Sequence, residues 1–252
     1  MYINRSPFIG YTEDKKYEKF SGTDSLSKFN ESIKKMGTNW EYLNLDFDYV
    51  RNSYGHRSPE ISEINLDNYI LFTGCSFTEG LGLPVNKRYS DILASMLNCD
   101  LYNLGLAGSG NDIIFYNLLT WLSTVKQKPK LIVLQWTIDN RFMIIEKNQN
   151  IEIYGIWSKV LEKFIVDGEA YDYFKSKTTY FKQLVRKLFD VPIIEIQCMI
   201  NMSFAEDEPK HKILFTDKVD YARDLIHPGI KANQMLAEKV FNYIKNRELF
   251  TT

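Results

Sequence analysis

The sequence predicts an α/β fold: a three-layer α/β/α sandwich around a central, mainly parallel sheet, with an N-terminal extension. Three observations carry this. Continuous apolar runs of strand length recur, among them Tyr69–Thr73 and Lys130–Gln135. Segments with apolar residues at helical spacing alternate with these runs. The connections between them are short, and strand–helix–strand alternation of that kind builds a parallel sheet with helices on both faces.

Residues 1–66 are polar and rich in Tyr, Lys and Asp, with helical periodicity only over Ser25–Met36. They read as an extension packed on a main domain of residues 67–252. Tyr49–Pro59 reads as a strand entering a turn formed by Asn52, Ser53 and Gly55. The regular pattern opens with Tyr69–Thr73, a buried strand ending at Gly74. Tyr89, Ile92, Leu93, Met96 and Leu97 then recur at helical spacing. Leu101–Leu104 is the next strand, closed by Gly105, Gly108 and Gly110. A second helix presents Ile114, Leu118, Trp121, Leu122 and Val125 on one face, with Asn111 as its expected cap. Lys130–Gln135 is the clearest strand. Across 138–190 the pattern predicts a helix over Tyr171–Phe189 and a shorter one near Trp157–Phe164. Val191–Met199 is a further core strand, and Gly229–Lys245 a final amphipathic helix with Pro228 suited to its first turn. In such sheets the ligand crevice lies beyond the carboxyl ends of the strands.

Composition narrows the function classes. The chain has 252 residues, 44% of them hydrophobic, and 16 Tyr with 16 Phe, enough for a sizeable core. A formal net charge of −1 leaves no electrostatic footprint for nucleic acid, and Lys126–Lys130 reads as a solvated helix end. Cys75, Cys99 and Cys198 are odd in number, widely spaced and set in apolar stretches, so buried reduced thiols are expected rather than a zinc site. The first ten residues, MYINRSPFIG, carry no secretory signal pattern. No apolar run approaches the roughly 18–20 residues of a membrane span. A soluble, cytoplasmic chain without a nucleic-acid or membrane partner is expected.

Two segments carry chemistry. Gly74-Cys75-Ser76-Phe77-Thr78-Glu79-Gly80 follows a strand directly. A serine at such a turn can expose its hydroxyl above the sheet edge, while its own backbone N–H helps bind an oxyanion. Near the other end lies Asp224-Leu225-Ile226-His227-Pro228-Gly229. A serine hydroxyl needs an imidazole to take its proton, and the imidazole needs a carboxylate to fix its tautomer. Asp and His three residues apart can supply both. His56 and His211 lack such a setting and read as surface or packing residues. Alternation turns Cys75 away from Ser76's side, so its thiol reads as packed.

These blocks resemble those of the SGNH hydrolases, the GDSL-like lipases and esterases, over roughly residues 68–246. Gly74-Cys75-Ser76 matches the Gly-Asp-Ser turn, with Cys75 in place of aspartate. Asn103-Leu104-Gly105-Leu106-Ala107-Gly108 matches the glycine block, and Asp224 through Pro228 match Asp-x-x-His-Pro. The resemblance implies an SGNH or flavodoxin-like sheet, a Ser76–His227–Asp224 triad, and backbone N–H groups of Ser76 and Gly108 in an oxyanion hole. The family's Gly-x-Asn-Asp block is replaced by Gln135-Trp136-Thr137-Ile138-Asp139-Asn140-Arg141. Asn140 is the expected third oxyanion donor, Thr137 or Arg141 could substitute, and the alternative is that Asn140 caps a following helix. Asn-Ser-x-Gly-x-Arg, seen at Asn52 to Arg57, also occurs upstream of this block in some SGNH-like proteins, and Arg57 reads as structural.

The expected activity is that of a serine esterase or deacylase working through an acyl-enzyme on a small acyl ester, with an O-acetylated carbohydrate as the favoured substrate. No metal or organic cofactor is called for. Residues 138–190 are the expected source of substrate contacts. The competing readings are an SGNH fold that binds a glycan or partner without turnover, and an acyltransferase using the same residues.

Overall fold

In a computed structural model of the chain, the described residues are 2–5, 7–12, 16–145, 150–154, 168–197, 212–214 and 219–250. The expected helix near Trp157–Phe164, together with Cys198 and His211, lies outside them. The chain opens with strands β1 (Tyr2–Arg5), β2 (Phe8–Tyr11) and β3 (Tyr17–Glu18), then helix α1 (Leu26–Met36) and strand β4 (Tyr49–Val50). Ser25 caps α1 by accepting the Lys28 N–H. Next come β5 (Tyr69–Thr73), α2 (Ser76–Glu79), α3 (Tyr89–Met96), β6 (Asp100–Asn103), α4 (Asn111–Thr124) and β7 (Leu131–Trp136). Strands β8 (Phe142–Ile145) and β9 (Asn150–Tyr154), helix α5 (Gly168–Leu188), β10 (Ile193–Gln197), β11 (Lys212–Leu214) and α6 (Ile230–Arg247) complete the order.

Five strands form a parallel sheet in the order β11-β10-β7-β5-β6. Every residue of β5 and β7 is buried, which explains their unbroken apolar runs. Alternation divides them between two layers. Ile70, Phe72, Leu131, Val133, Ile194 and Ile196 pack on Leu93 of α3 and on Leu236, Val240 and Ile244 of α6. Tyr69, Leu71, Ile132, Leu134 and Trp136 pack on Ile114, Leu118 and Trp121 of α4 and on Val185 of α5. The fold is thus an α/β/α sandwich. β6 lies on one side of β5 and β7 on the other, so the strand order reverses at β5, and the carboxyl end of β5 is the topological switch point of the sheet.

A second sheet has the order β2-β1-β9-β8, with antiparallel pairing throughout. It was not foreseen, because it joins the start of the chain to a hairpin about 150 positions on; the period-2 pattern of Asn150–Tyr154 is its one local trace. Ile9, Tyr11 and Ile151 pack there against Leu106 and against Ile113 of α4. Two local expectations are corrected. The α4 cap is Gly110 rather than Asn111, whose buried side chain bridges instead to the backbone of Thr137. Pro228 lies before the α6 cap Gly229, and the Lys231 and Ala232 amides in the first turn of α6 are held by the Asp220 carboxylate. Among the described residues no helix is long and apolar enough to cross a membrane.

Candidate active site

Ser76 is the first residue of α2, immediately past β5, and α2 is short because Gly80 turns left-handed at φ 75° and ends it. His227 and Asp224 lie on the loop that enters α6. That loop closes on itself through Ala222 N–H to the His227 carbonyl (2.9 Å) and Gly229 N–H to the Asp220 carbonyl (3.1 Å). Leu225 between them takes φ 54°, a left-handed conformation that costs a leucine about 1–2 kcal/mol. The turn folds the Asp224 carboxylate back beneath the imidazole.

The three side chains meet in line. His227 Nε2 lies 2.8 Å from Ser76 Oγ, and Nδ1 lies 2.6 Å from Asp224 Oδ2. Asp224 is fully buried, and Ser76 and His227 are only 6% and 7% exposed. The other carboxylate oxygen accepts the N–H groups of Ile226 (2.9 Å) and His227 (3.0 Å), and Oδ2 also accepts the Thr23 hydroxyl at 2.6 Å. Phe77 packs edge-on against the imidazole, with ring centroids 5.4 Å apart. An imidazole aligned this way can accept the Ser76 proton at Nε2 while Nδ1–H stays on the carboxylate. A groove of about 840 Å³ elsewhere, lined by Asn52, Arg57, Glu60, Asp91, Cys99 and Asp100, includes none of the three.

Burial pushes the Asp224 carboxyl up, but its bonds to His227 and Thr23 and the charge of His227 outweigh this and hold it down at about 2. A carboxyl depressed below its unfolded value, about 3.9, stabilises the fold above that pH and ceases to do so as pH falls through 2. The expected result is a stability contribution of about 2–3 kcal/mol, present at neutral pH and lost between about pH 4 and pH 2. Urea titrations of wild type and Asp224→Asn across that range check it; an undiminished difference at pH 2 would contradict it.

The glycine block reaches the same place. Leu106 N–H and the Ser109 hydroxyl both donate to the Gly74 carbonyl, at 3.2 Å each, tying this loop to the Ser76 turn. Gly108 adopts φ 79°, open to glycine and strained for other residues. The Ala107 N–H donates to Glu79 at 2.5 Å. Glu79 is fully buried and also takes the Tyr11 hydroxyl (3.0 Å) and Arg51 (3.3 Å), so residues from the first fifth of the chain brace the loop next to Gly108. Glu79 stood inside the block read from the sequence, but its partners lie too far away for any local pattern to show its burial.

The segment after β7 is less complete. The next element is strand β8, so Asn140 caps no helix. Asn140 sits half-buried in the turn, its Oδ1 without a hydrogen-bond partner. Arg141 Nη1 donates to Thr137 Oγ1 at 3.0 Å. A Cβ at Gly110 would come within 2.7 Å of the Arg141 carbonyl, so this turn lies directly beside the glycine block. Cys75 is buried with Sγ 3.5 Å from Gln135 Oε1. His56 is a packing residue, its ring nitrogens meeting the Tyr102 hydroxyl (3.2 Å) and the Ile9 carbonyl (3.0 Å). Arg57 is buried and donates to the Gly80 and Leu83 carbonyls, at 2.8 Å each, which is a structural role.

No protein-family model and no curated protein sequence matches the chain. Among solved structures it is similar to an acetyl xylan esterase from the rumen bacterium Butyrivibrio proteoclasticus, with 15% identity and a TM-score of 0.50 over 72% of this chain and 64% of that one. That likeness is one of fold, a central parallel sheet flanked by helices. Also similar are a family two carbohydrate esterase from Clostridium thermocellum in complex with cellohexaose (17% identity, TM-score 0.47, 72% of this chain and 65% of that one) and a member of the lipolytic protein G-D-S-L family from Veillonella parvula (14% identity, TM-score 0.41, 69% and 96%). The chain spans less than two thirds of the length of the first two. At these identities the likeness shows the fold alone, and the site rests on its own geometry.

Proposed function

We propose that the chain is a serine hydrolase that cleaves a small acyl ester through an acyl-enzyme. The observation that carries this is the Ser76 Oγ···His227 Nε2 contact of 2.8 Å, with Asp224 Oδ2 2.6 Å from Nδ1. In this reading Ser76 Oγ attacks the ester carbonyl carbon as its proton passes to His227 Nε2. The tetrahedral intermediate collapses, the C–O bond to the leaving alcohol breaks, and His227 returns the proton to that alcohol. Water then repeats the sequence on the acyl-enzyme and releases the acid. Asp224 stays ionised and stabilises the imidazolium. The N–H groups of Ser76 and Gly108 face the developing oxyanion, and Asn140 is the third donor. The turn that carries Asn140 lies directly beside the glycine block, which supports this role.

The acetyl group is the favoured acyl group and a carbohydrate the favoured alcohol. The similar acetyl xylan esterase makes acetylated xylo-oligosaccharides the first natural esters to try, after p-nitrophenyl acetate. A fluorophosphonate probe should label Ser76 in the same preparation. Absence of both turnover and labelling would sink the proposal and favour a domain that binds without catalysis. Transfer of the acetyl group from the acyl-enzyme to an added acceptor alcohol, giving a new ester in preference to acetate, would make the chain an acyltransferase. Asn140→Ala is expected to lower kcat by about 10²-fold or more with little change in KM, as loss of one oxyanion donor does. An unchanged kcat would move that donor elsewhere.

A further inference from the structure

We propose that Thr23 is a positioning residue for the Asp224–His227 pair, so that the turn of residues 21–24 completes the site. The inference rests on the reading of Ser76, His227 and Asp224 as a triad. Asp224 receives four hydrogen bonds: Oδ1 from the Ile226 and His227 N–H groups, and Oδ2 from His227 Nδ1 and from Thr23 Oγ1 at 2.6 Å. The first three come from the loop that carries Asp224. Thr23 lies 201 positions away and reaches Oδ2 from outside that loop. A carboxylate held at one oxygen can still pivot and carry the imidazole with it. A second donor on Oδ2 removes that freedom, and a hydroxyl-to-carboxylate bond of this length is among the stronger kinds.

The turn is built to hold that hydroxyl still. Ser21 and Asp24 exchange backbone bonds of 2.8 and 3.0 Å. Gly22 between them adopts φ 59°. Asp24 is fully buried and accepts Arg223 Nη2 at 2.6 Å, Arg223 Nε at 2.9 Å and the Tyr49 hydroxyl at 2.6 Å. Neighbour is therefore bonded to neighbour across two distant segments, Asp24 to Arg223 and Thr23 to Asp224. Thr23 is exposed, so changing it opens no cavity.

The experiment compares Thr23→Val with Thr23→Ser on p-nitrophenyl acetate. Valine keeps the shape and loses the donor; serine keeps the donor and loses the methyl. The expected result, measured well below the Tm of each variant, is a fall of about tenfold in kcat for Thr23→Val at unchanged KM, with Thr23→Ser within about twofold of wild type. A second readout needs no turnover: the far-downfield proton NMR signal of His227 Nδ1–H should shift in Thr23→Val and hold in Thr23→Ser. Wild-type behaviour of Thr23→Val in both measurements overturns the proposal, as do equal losses in both variants or a loss of kcat that disappears at temperatures where the variant is fully folded. If wild type itself neither turns over substrate nor labels at Ser76, the triad reading falls instead, and with it the role given to Thr23.

Discussion

Ser76→Ala should reduce turnover of p-nitrophenyl acetate by about 10⁴- to 10⁶-fold and abolish fluorophosphonate labelling, while thermal stability stays near that of wild type. The change removes one oxygen whose partner is His227 Nε2. His227→Ala should cost a similar factor, because a hydroxyl without its base is a poor nucleophile. The two losses should not add: a double variant no slower than either single one is the signature of groups working on one proton. Retention of a tenth of the wild-type rate in Ser76→Ala would mean that another group attacks the ester. The neighbouring Cys75 is badly placed for that, since its sulfur lies against Gln135 inside the fold.

The largest effect on stability should come from Asp24. Asp24→Ala strips the buried Arg223 guanidinium of its carboxylate, and an uncompensated buried charge costs about 3–5 kcal/mol. Urea unfolding should show a lower midpoint at an unchanged slope. Arg223 lies over the Phe47 ring at 3.9 Å and the Phe20 ring at 4.6 Å, so an unbranched apolar side chain suits the same slot. Combining Asp24→Ala with Arg223→Met should therefore destabilise less than Asp24→Ala alone. A double variant weaker than the single one would show that the guanidinium stabilises the slot through its packing and its bond to the Lys19 carbonyl rather than through the pair.

The central sheet was readable because its strands are short, fully buried and continuous in apolar residues, and because the helices between them repeat at helical spacing. The blocks around Ser76 and Asp224–His227 were readable for a different reason: each packs its chemistry into a few consecutive residues. What escaped was everything made by pairing across the chain. β1 and β9 each carry only four or five residues of weak pattern, and nothing local says that Tyr2 lies beside Ile151. Thr23, Tyr11 and Arg51 look like ordinary polar residues until the fold brings them to Asp224 and Glu79. Asn111 has the composition of a cap, yet tertiary contact with Thr137 claims its side chain. The turn at Asn140 differs in length from the pattern it resembles, so spacing alone does not align Asn140 with that pattern.

The bond between Asp24 and Arg223 joins residues 199 positions apart. During synthesis the early segment is in place many seconds before its partner exists, at about 5–20 residues added per second. Through that interval Asp24 has no guanidinium and Ser76 has no imidazole. The nascent chain therefore carries its serine unarmed, and the three side chains can meet only after the loop at 220–229 has cleared the ribosome.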